Sequence, residues 1–271
     1  MDYILYILIF CIGTLFGSFF TLAVYRIPIR QDITHTRSYC PKCDHKLGFL
    51  DMIPILSYVV LGGKCRYCKE KIRPRYILLE ILSGIVFVLF ALSIKFSLFT
   101  MNSETIVYLV AGILYLATMF IIAGIDKEKI RIEKPVLLFG FICVAIYMIY
   151  LYIVEKDTSI YRYVIYLIIA CLLLLFSIVY LRKKGEDSYS IDILILSMLM
   201  VLFTYESVYI YTVIITLLAT GIQLLIYKLH DKKSKAIKNL KIENAKVPIG
   251  FYMCTANIIV LLVTNFMIFY I

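Results

Sequence analysis

Long apolar runs separated by short polar interruptions dominate the chain, and their length carries more information than any periodicity within them. A helix rises about 1.5 Å per residue, so crossing a hydrocarbon core of about 30 Å takes roughly 20 mostly apolar residues. Eight segments meet or approach that length, at about 3–25, 76–98, 104–126, 135–154, 161–181, 190–204, 206–228 and 249–271. The sixth is the shortest. Only Thr204-Tyr205-Glu206-Ser207 divides it from the seventh, which predicts a tight helical hairpin. The pattern predicts an all-α polytopic membrane protein of about eight transmembrane helices, with one long polar interruption between the first and the second. Met1-Asp2 lacks the basic start of a signal peptide and no small-residue cleavage pattern precedes Arg26, so the first run reads as a retained span. The expected layout is a first span over 1–25, a cysteine-bearing cytoplasmic domain over 26–75 and a seven-span domain over 76–271.

Composition agrees. Hydrophobic residues make up 62% of the 271 and charged residues 17%, against about 45–50% and 25% in soluble globular proteins. That excludes a water-soluble enzyme, a disordered chain and a coiled coil. The net charge of +10 allows a nucleic-acid or a membrane explanation, and placement decides between them. The segments 26–75, 127–134, 182–189 and 229–248, with Lys228, hold 25 of the 28 Lys and Arg, leaving only Lys95, Lys156 and Arg162 on the other side. Cytoplasmic loops of membrane proteins carry such an excess. The basic loops are therefore expected in the cytoplasm and both termini outside it, with the lipid bilayer and not nucleic acid as the partner of this charge.

Eight cysteines fall into two kinds. Cys11, Cys143, Cys171 and Cys254 lie singly within apolar runs, where small buried side chains are the plain reading. Cys40-Pro41-Lys42-Cys43 and Cys65-Arg66-Tyr67-Cys68 both fall in the first basic loop. Two such turns present four sulfurs that complete a tetrahedral site, for which zinc is the favoured ion, and four thiolates leave no open position for catalysis. A reducing compartment disfavours disulfides there. His35 and His45 flank the first pair as substitute ligands or as solvated loop residues.

Ionisable residues in or beside spans are functional candidates by default. They are Glu80, Asp126, Asp192 and Glu206, the last in an external turn. Asp126, in Ala123-Gly124-Ile125-Asp126-Lys127, ends the third span, and Asp192, in Ser190-Ile191-Asp192-Ile193-Leu194, begins the sixth. Both are thereby expected at one depth on the cytoplasmic face. If the two helices pack together, one ionised carboxylate can deprotonate water while its protonated partner polarises a peptide carbonyl. The alternatives are that Asp192 caps its helix and that Asp126 pairs with Lys127 or Lys129. A transport site is disfavoured, because these acids lie at the surface and not at the midplane.

Gly17-Ser18-Phe19-Phe20 through Tyr25-Arg26-Ile27-Pro28, the two cysteine pairs, Asp51-Met52-Ile53-Pro54-Ile55-Leu56-Ser57-Tyr58, and Arg73-Pro74-Arg75-Tyr76 through Glu80 and Gly84 closely resemble the N-terminal half of type IV prepilin peptidases. Asp126 with Ile130, Ile132 and Pro135 resembles the segment bearing that family's first catalytic aspartate, and Pro248-Ile249-Gly250 its Pro-Phe-Gly-Pro segment in reduced form. The resemblance implies a polytopic aspartic peptidase that removes the basic leader of prepilins and pseudopilins at the cytoplasmic face. It also implies, for members with the cysteine loop, methylation of the new N-terminus with S-adenosylmethionine. Glu80 matches a family glutamate and is a candidate either for a cofactor site or for pairing with Arg73 or Arg75. No glycine-rich dinucleotide fingerprint accompanies it. The second aspartate departs from the family's Gly-x-Gly-Asp pattern: Tyr189 and Ile191 stand where it has glycines, and no lysine follows. Asp187 is a second candidate for that role, and a degenerate member that binds or assembles without cutting, or only methylates, is the alternative function.

Overall fold

The computed structural model describes residues 2–155, isolated positions between 164 and 175, and residues 189–204, 206–235 and 247–270. Its helices are α1 (Asp2–Arg26), α2 (Leu56–Val60), α3 (Arg75–Ser93), α4 (Ser103–Lys129), α5 (Lys134–Tyr150), α6 (Tyr189–Phe203), α7 (Glu206–Lys235) and α8 (Ile249–Tyr270). Among the described residues there is no extended strand, only two isolated antiparallel bridges in the polar loop. The protein is an all-α polytopic membrane protein. Six described helices are long and apolar enough to cross a bilayer. The 15 residues of α6 reach only about 22 Å. The expected fifth span, 161–181, falls mostly outside the described residues, and its described positions are helical.

Two boundaries differ from the sequence expectation. The second span ends at Ser93 and not near 98. Lys95 adopts φ 51°, and its N–H and that of Phe96 turn back to Leu92 O and Ala91 O, each at 3.0 Å, the left-handed closure by which helices commonly end. The apolar run conceals this stop because Phe96 is buried after the turn, with its carbonyl accepting the Tyr6 hydroxyl at 2.9 Å. The seventh helix, α7, continues to Lys235 instead of 228, since no glycine or proline interrupts the charged residues that follow the apolar run.

The chain divides into two compact units, Met1–Ile113 with Asn265–Ile271 and Leu114–Thr264. In the first, α1 and α3 pack backbone to backbone. A side chain added at Gly13 would lie 2.7 Å from the Gly84 Cα, and one at Gly17 would collide with Ser83 Oγ and the Glu80 backbone. Ser83 Oγ donates to Gly13 O across the contact at 2.7 Å. Apolar lipid offers helices no hydrophobic reason to associate, so close contact through small residues takes over that role. Fully buried Phe20, Phe87 and Phe90 fill the space beside it.

In the second unit a buried polar chain ties three helices together. Tyr115 Oη donates to Asn257 Oδ1 at 2.6 Å, and Asn257 Nδ2 donates to Thr212 Oγ1 at 3.2 Å. Tyr115 also stacks on Phe203, with ring centroids 4.2 Å apart. Gly140 of α5 admits Leu199 and Thr118, each of which would lie 2.8 Å from a side chain placed there. These contacts fix α4 relative to α6 and α8, the three helices that carry the acidic site.

Candidate active site and metal centre

The polar loop consists of one local structure written twice. Around Cys40, the Cys40 N–H bonds His45 O at 3.0 Å, the Asp44 N–H bonds Cys40 O at 2.8 Å, and the Leu47 N–H bonds Ser38 O at 2.9 Å. Twenty-five positions later Cys65 bonds Glu70 O at 2.8 Å, Lys69 bonds Cys65 O at 3.1 Å, and Ile72 bonds Gly63 O at 2.8 Å. The bridges Tyr39 to Lys46 and Lys64 to Lys71 repeat the same offset, as do the left-handed residues Asp44 at φ 55° and Lys69 at φ 60°. Ser38–Leu47 and Gly63–Ile72 are thus an internal repeat of backbone structure.

The two halves bring the sulfurs of Cys40, Cys43, Cys65 and Cys68 within 4.8 Å of one another, with Cys40 Sγ and Cys68 Sγ 3.8 Å apart. Four Zn–S bonds of about 2.3 Å in a tetrahedron require sulfur separations of about 3.8 Å. The group can therefore hold a metal ion such as zinc. Burial raises the Cys65 thiol, but the N–H groups of Cys68 and Tyr67 aimed at its sulfur bring it down to about 7. Cys68 receives the Glu70 N–H, yet desolvation and the three neighbouring sulfurs push it up to about 12. Four sulfurs this close share protons unless a cation replaces them. Neither histidine joins the cluster: His45 stacks on Tyr67 with centroids 3.5 Å apart, and His35 Nδ1 lies 2.7 Å from the Thr34 hydroxyl. Asp51 clasps the second knuckle through Arg66 Nε at 2.6 Å. That guanidinium, against a smaller opposing effect of burial, holds its carboxyl below the usual range.

Buried Arg26, where α1 ends, organises the first part of the loop. Its guanidinium donates to Asp32 O at 2.9 Å, Thr36 O at 2.8 Å and Arg37 O at 3.2 Å. Glu80, half-buried in α3, accepts the Ile55 N–H at Oε2, 2.8 Å away, and a hydrogen bond from the Ser18 hydroxyl. Ile55 itself adopts φ 63°, a strained conformation for a β-branched residue.

Asp126 occupies the last turns of α4 and is fully buried. Its Oδ2 accepts the Phe251 N–H at 2.8 Å and the Tyr189 hydroxyl at 3.0 Å. Among the described residues, Oδ1 is buried with no hydrogen-bond partner. Phe251 lies in the first turn of α8, where backbone N–H groups lack partners within the helix and the dipole favours an anion. Gly250 makes this approach possible, because a side chain there would stand 3.1 Å from Oδ2. The Gly250 N–H also reaches Tyr189 Oη at 3.3 Å. Lys127 turns away to the Phe251 ring, 4.7 Å from its centroid. Just beyond, Ile130 closes α4 with φ 51° and donates to Asp126 O at 2.8 Å.

Asp192 is 4% exposed and falls inside the first turn of α6, not on the capping residue before it. It lies three residues from Tyr189, and residues so spaced share a helix face. The face that Tyr189 turns to Asp126 is therefore the face that carries Asp192. Asp187 lies outside the described residues. Sequence reasoning missed Tyr189 and the Phe251 N–H as the partners of Asp126. The proline at 248 followed by a glycine and an apolar run was the available signal for a helix N-terminus, whereas nothing marks the Tyr189 hydroxyl.

Residues 11–94 match the family model of the bacterial peptidase A24 N-terminal domain. The chain is similar to the prepilin leader peptidase/N-methyltransferase of Vibrio cholerae, 39% identical over 89 residues, which cover 30% of this chain and 35% of the relative. It is similar to that of Myxococcus xanthus, 40% identical over 81 residues, covering 30% and 24%. A third relative of the same name, from Klebsiella pneumoniae, is 32% identical over 126 residues, covering 44% and 51%. The chain thus spans about a quarter to a half of the length of these relatives. No solved structure matches. The likeness to these proteins is carried by residues 11–94, the segment with the cysteine loop and Glu80.

Proposed function

We propose that the chain is a membrane aspartic endopeptidase that removes the leader from prepilins or pseudopilins, with Asp126 and Asp192 as its two carboxyls. The observation that carries this reading is the setting of Asp126. A buried carboxylate at a span's end is held on one oxygen by a helix N-terminus and a tyrosine, its other oxygen is unpartnered, and a second buried aspartate lies one turn from that tyrosine. A carboxylate with one fixed and one open oxygen is arranged to take a proton from water. A second carboxyl that stays protonated beside it supplies the acid which polarises the scissile carbonyl.

The basic loops argue for chemistry at the cytoplasmic membrane face with both termini outside. They also give no attraction for a basic leader, so recognition falls to the apolar helix that follows it and to the backbone at the cleavage point. In this reading residues 26–75 form a zinc-bearing cytoplasmic domain and 76–271 the membrane peptidase part. Zinc held by Cys40, Cys43, Cys65 and Cys68 is structural, since four thiolates leave no position for water. The relatives' name also suggests methylation with S-adenosylmethionine. Glu80, the candidate for that cofactor, already accepts Ile55 and Ser18, which does not fit a free cofactor ligand.

Purified full-length chain in proteoliposomes, offered a prepilin precursor, should release the shortened product. Asp126→Asn and Asp192→Asn should each abolish release while Asp187→Asn retains it; full cleavage by Asp192→Asn overturns the assignment. A second reading, a binding or assembly protein that does not cut, is favoured by Tyr189 and Ile191 standing where the family pattern has glycines. Precursor that binds the wild-type chain and stays uncleaved would establish it.

A further inference from the structure

The loop outside the membrane spans carries an apolar surface that folding leaves uncovered. On α2, Leu56, Val59 and Val60 are 61%, 64% and 78% exposed, and their i, i+3, i+4 spacing puts them on one helix face. The short helix Phe49–Asp51 packs against α2 and adds Phe49 and Leu50, 80% and 66% exposed. Polar loops do not normally present five large apolar side chains together, and such a patch marks an interaction surface.

The location of the patch identifies its partner. Ile55, the residue before α2, is held by its N–H on Glu80 Oε2 at 2.8 Å. Glu80 lies five residues into α3, a spanning helix, and so only about 7.5 Å along it. The strained φ of Ile55 shows that this anchor overrides the local preference of the backbone. The bond ties the start of α2 to the level of the first turns of a membrane helix, where hydrocarbon gives way to headgroups. Charge points the same way. Residues 26–75 hold eleven Lys and Arg against four Asp and Glu, and Lys64, Lys71 and Arg73 line a pocket to which Tyr58 of α2 contributes. An exposed apolar helix face on a loop with this excess of cations is the composition of a segment lying in an anionic bilayer surface.

We propose that Phe49, Leu50 and the α2 face of Leu56, Val59 and Val60 insert into the interfacial layer of the bilayer, with the basic excess of residues 26–75 drawing the loop to anionic headgroups. The metal loop then lies down on the membrane instead of projecting from it. This rests on the membrane fold and is independent of the peptidase reading.

The chain contains no Trp, so a single introduced Trp reports without background. Val60→Trp and Phe49→Trp, in the full chain reconstituted into phosphatidylglycerol-containing vesicles, test the depth directly, with zinc content confirming an intact loop. The expected result is blue-shifted emission, quenched at least twofold by lipids brominated on the upper acyl chain and barely by aqueous acrylamide. Acrylamide quenching without bromolipid quenching would place the patch in water and overturn the proposal. Shielding from both quenchers would mean that protein, and not lipid, covers it, and would overturn it equally.

Discussion

Replacing Tyr189 with Phe removes one hydroxyl and leaves the ring, which makes it the most direct probe of how Asp126 is held. The hydroxyl donates to Asp126 Oδ2 at 3.0 Å and receives the Gly250 N–H at 3.3 Å. After its loss the carboxylate keeps only the backbone N–H groups of Phe251 and Gly250 at the start of α8, and its orientation is less firmly fixed. A hydrogen bond to a charged group has a net worth of about 1.5–3 kcal/mol. If that is expressed in the transition state, at about 1.4 kcal/mol per tenfold, kcat falls by about 10- to 150-fold. Substrate binding depends on the apolar helix of the precursor, so KM should stay within about twofold. The assay is steady-state leader removal by purified chain, with thermal unfolding in detergent as a check on the fold. An unchanged kcat, with Asp126→Asn inactive, would refute the positioning argument and leave the peptidase reading standing. Activity in Asp126→Asn would remove both.

Gly250→Ala should lower kcat at least tenfold with the helices intact by circular dichroism, because the added methyl stands 3.1 Å from Asp126 Oδ2 and displaces the carboxylate from the helix end. The full chain should carry about one zinc by metal analysis, and Cys65→Ser should lose it and lower the unfolding temperature, since the metal supplies much of the folding free energy of so short a loop. Asp51→Asn should speed zinc release to a chelator several-fold at pH 7 by freeing Arg66. Because the Asp51 carboxyl is held below its ordinary value, the clasp is present above about pH 4 and lost only as pH falls through the lowered value; equal release rates at pH 7 would contradict it. Gly17→Leu should destabilise the first unit by about 1–3 kcal/mol or more, since it drives α1 and α3 apart, as read by unfolding in mixed detergent.

The spans were legible because a bilayer imposes one length and one composition on whatever crosses it. The cysteine pairs were legible because metal ligation demands a fixed sulfur spacing. What the sequence concealed depends on backbone geometry. The end of α3 at Ser93 is set by a left-handed Lys95 inside an apolar run, and no residue type there marks the stop. The 25-residue repeat of the knuckles escaped because only the cysteines and Lys46 with Lys71 are identical between its halves, the hydrogen bonds being made by main chain. The Phe251 N–H on Asp126 is likewise a main-chain donor, indifferent to which side chain it bears. The resemblance pointed to Pro248-Ile249-Gly250 without a reason, and the reason is the room Gly250 leaves for a carboxylate. Asp126 itself was placed at a span's end correctly, but the lysines beside it in sequence do not hold it.

That choice of partners bears on the chemistry. A lysine on Asp126 would stabilise the carboxylate and, by the same interaction, weaken it as a base. A helix N-terminus and a tyrosine hydroxyl are uncharged donors. They orient Oδ2 and satisfy part of the desolvated group without neutralising it, and they cannot rearrange as solvent would. Oδ1 stays buried with no partner among the described residues, a costly arrangement for a purely structural aspartate. The protein retains that cost at a position where α4, α6 and α8 all supply a contact, and where Lys127 is diverted to an aromatic face 4.7 Å away. In the proposed peptidase, Oδ1 is the oxygen that would take a proton from water.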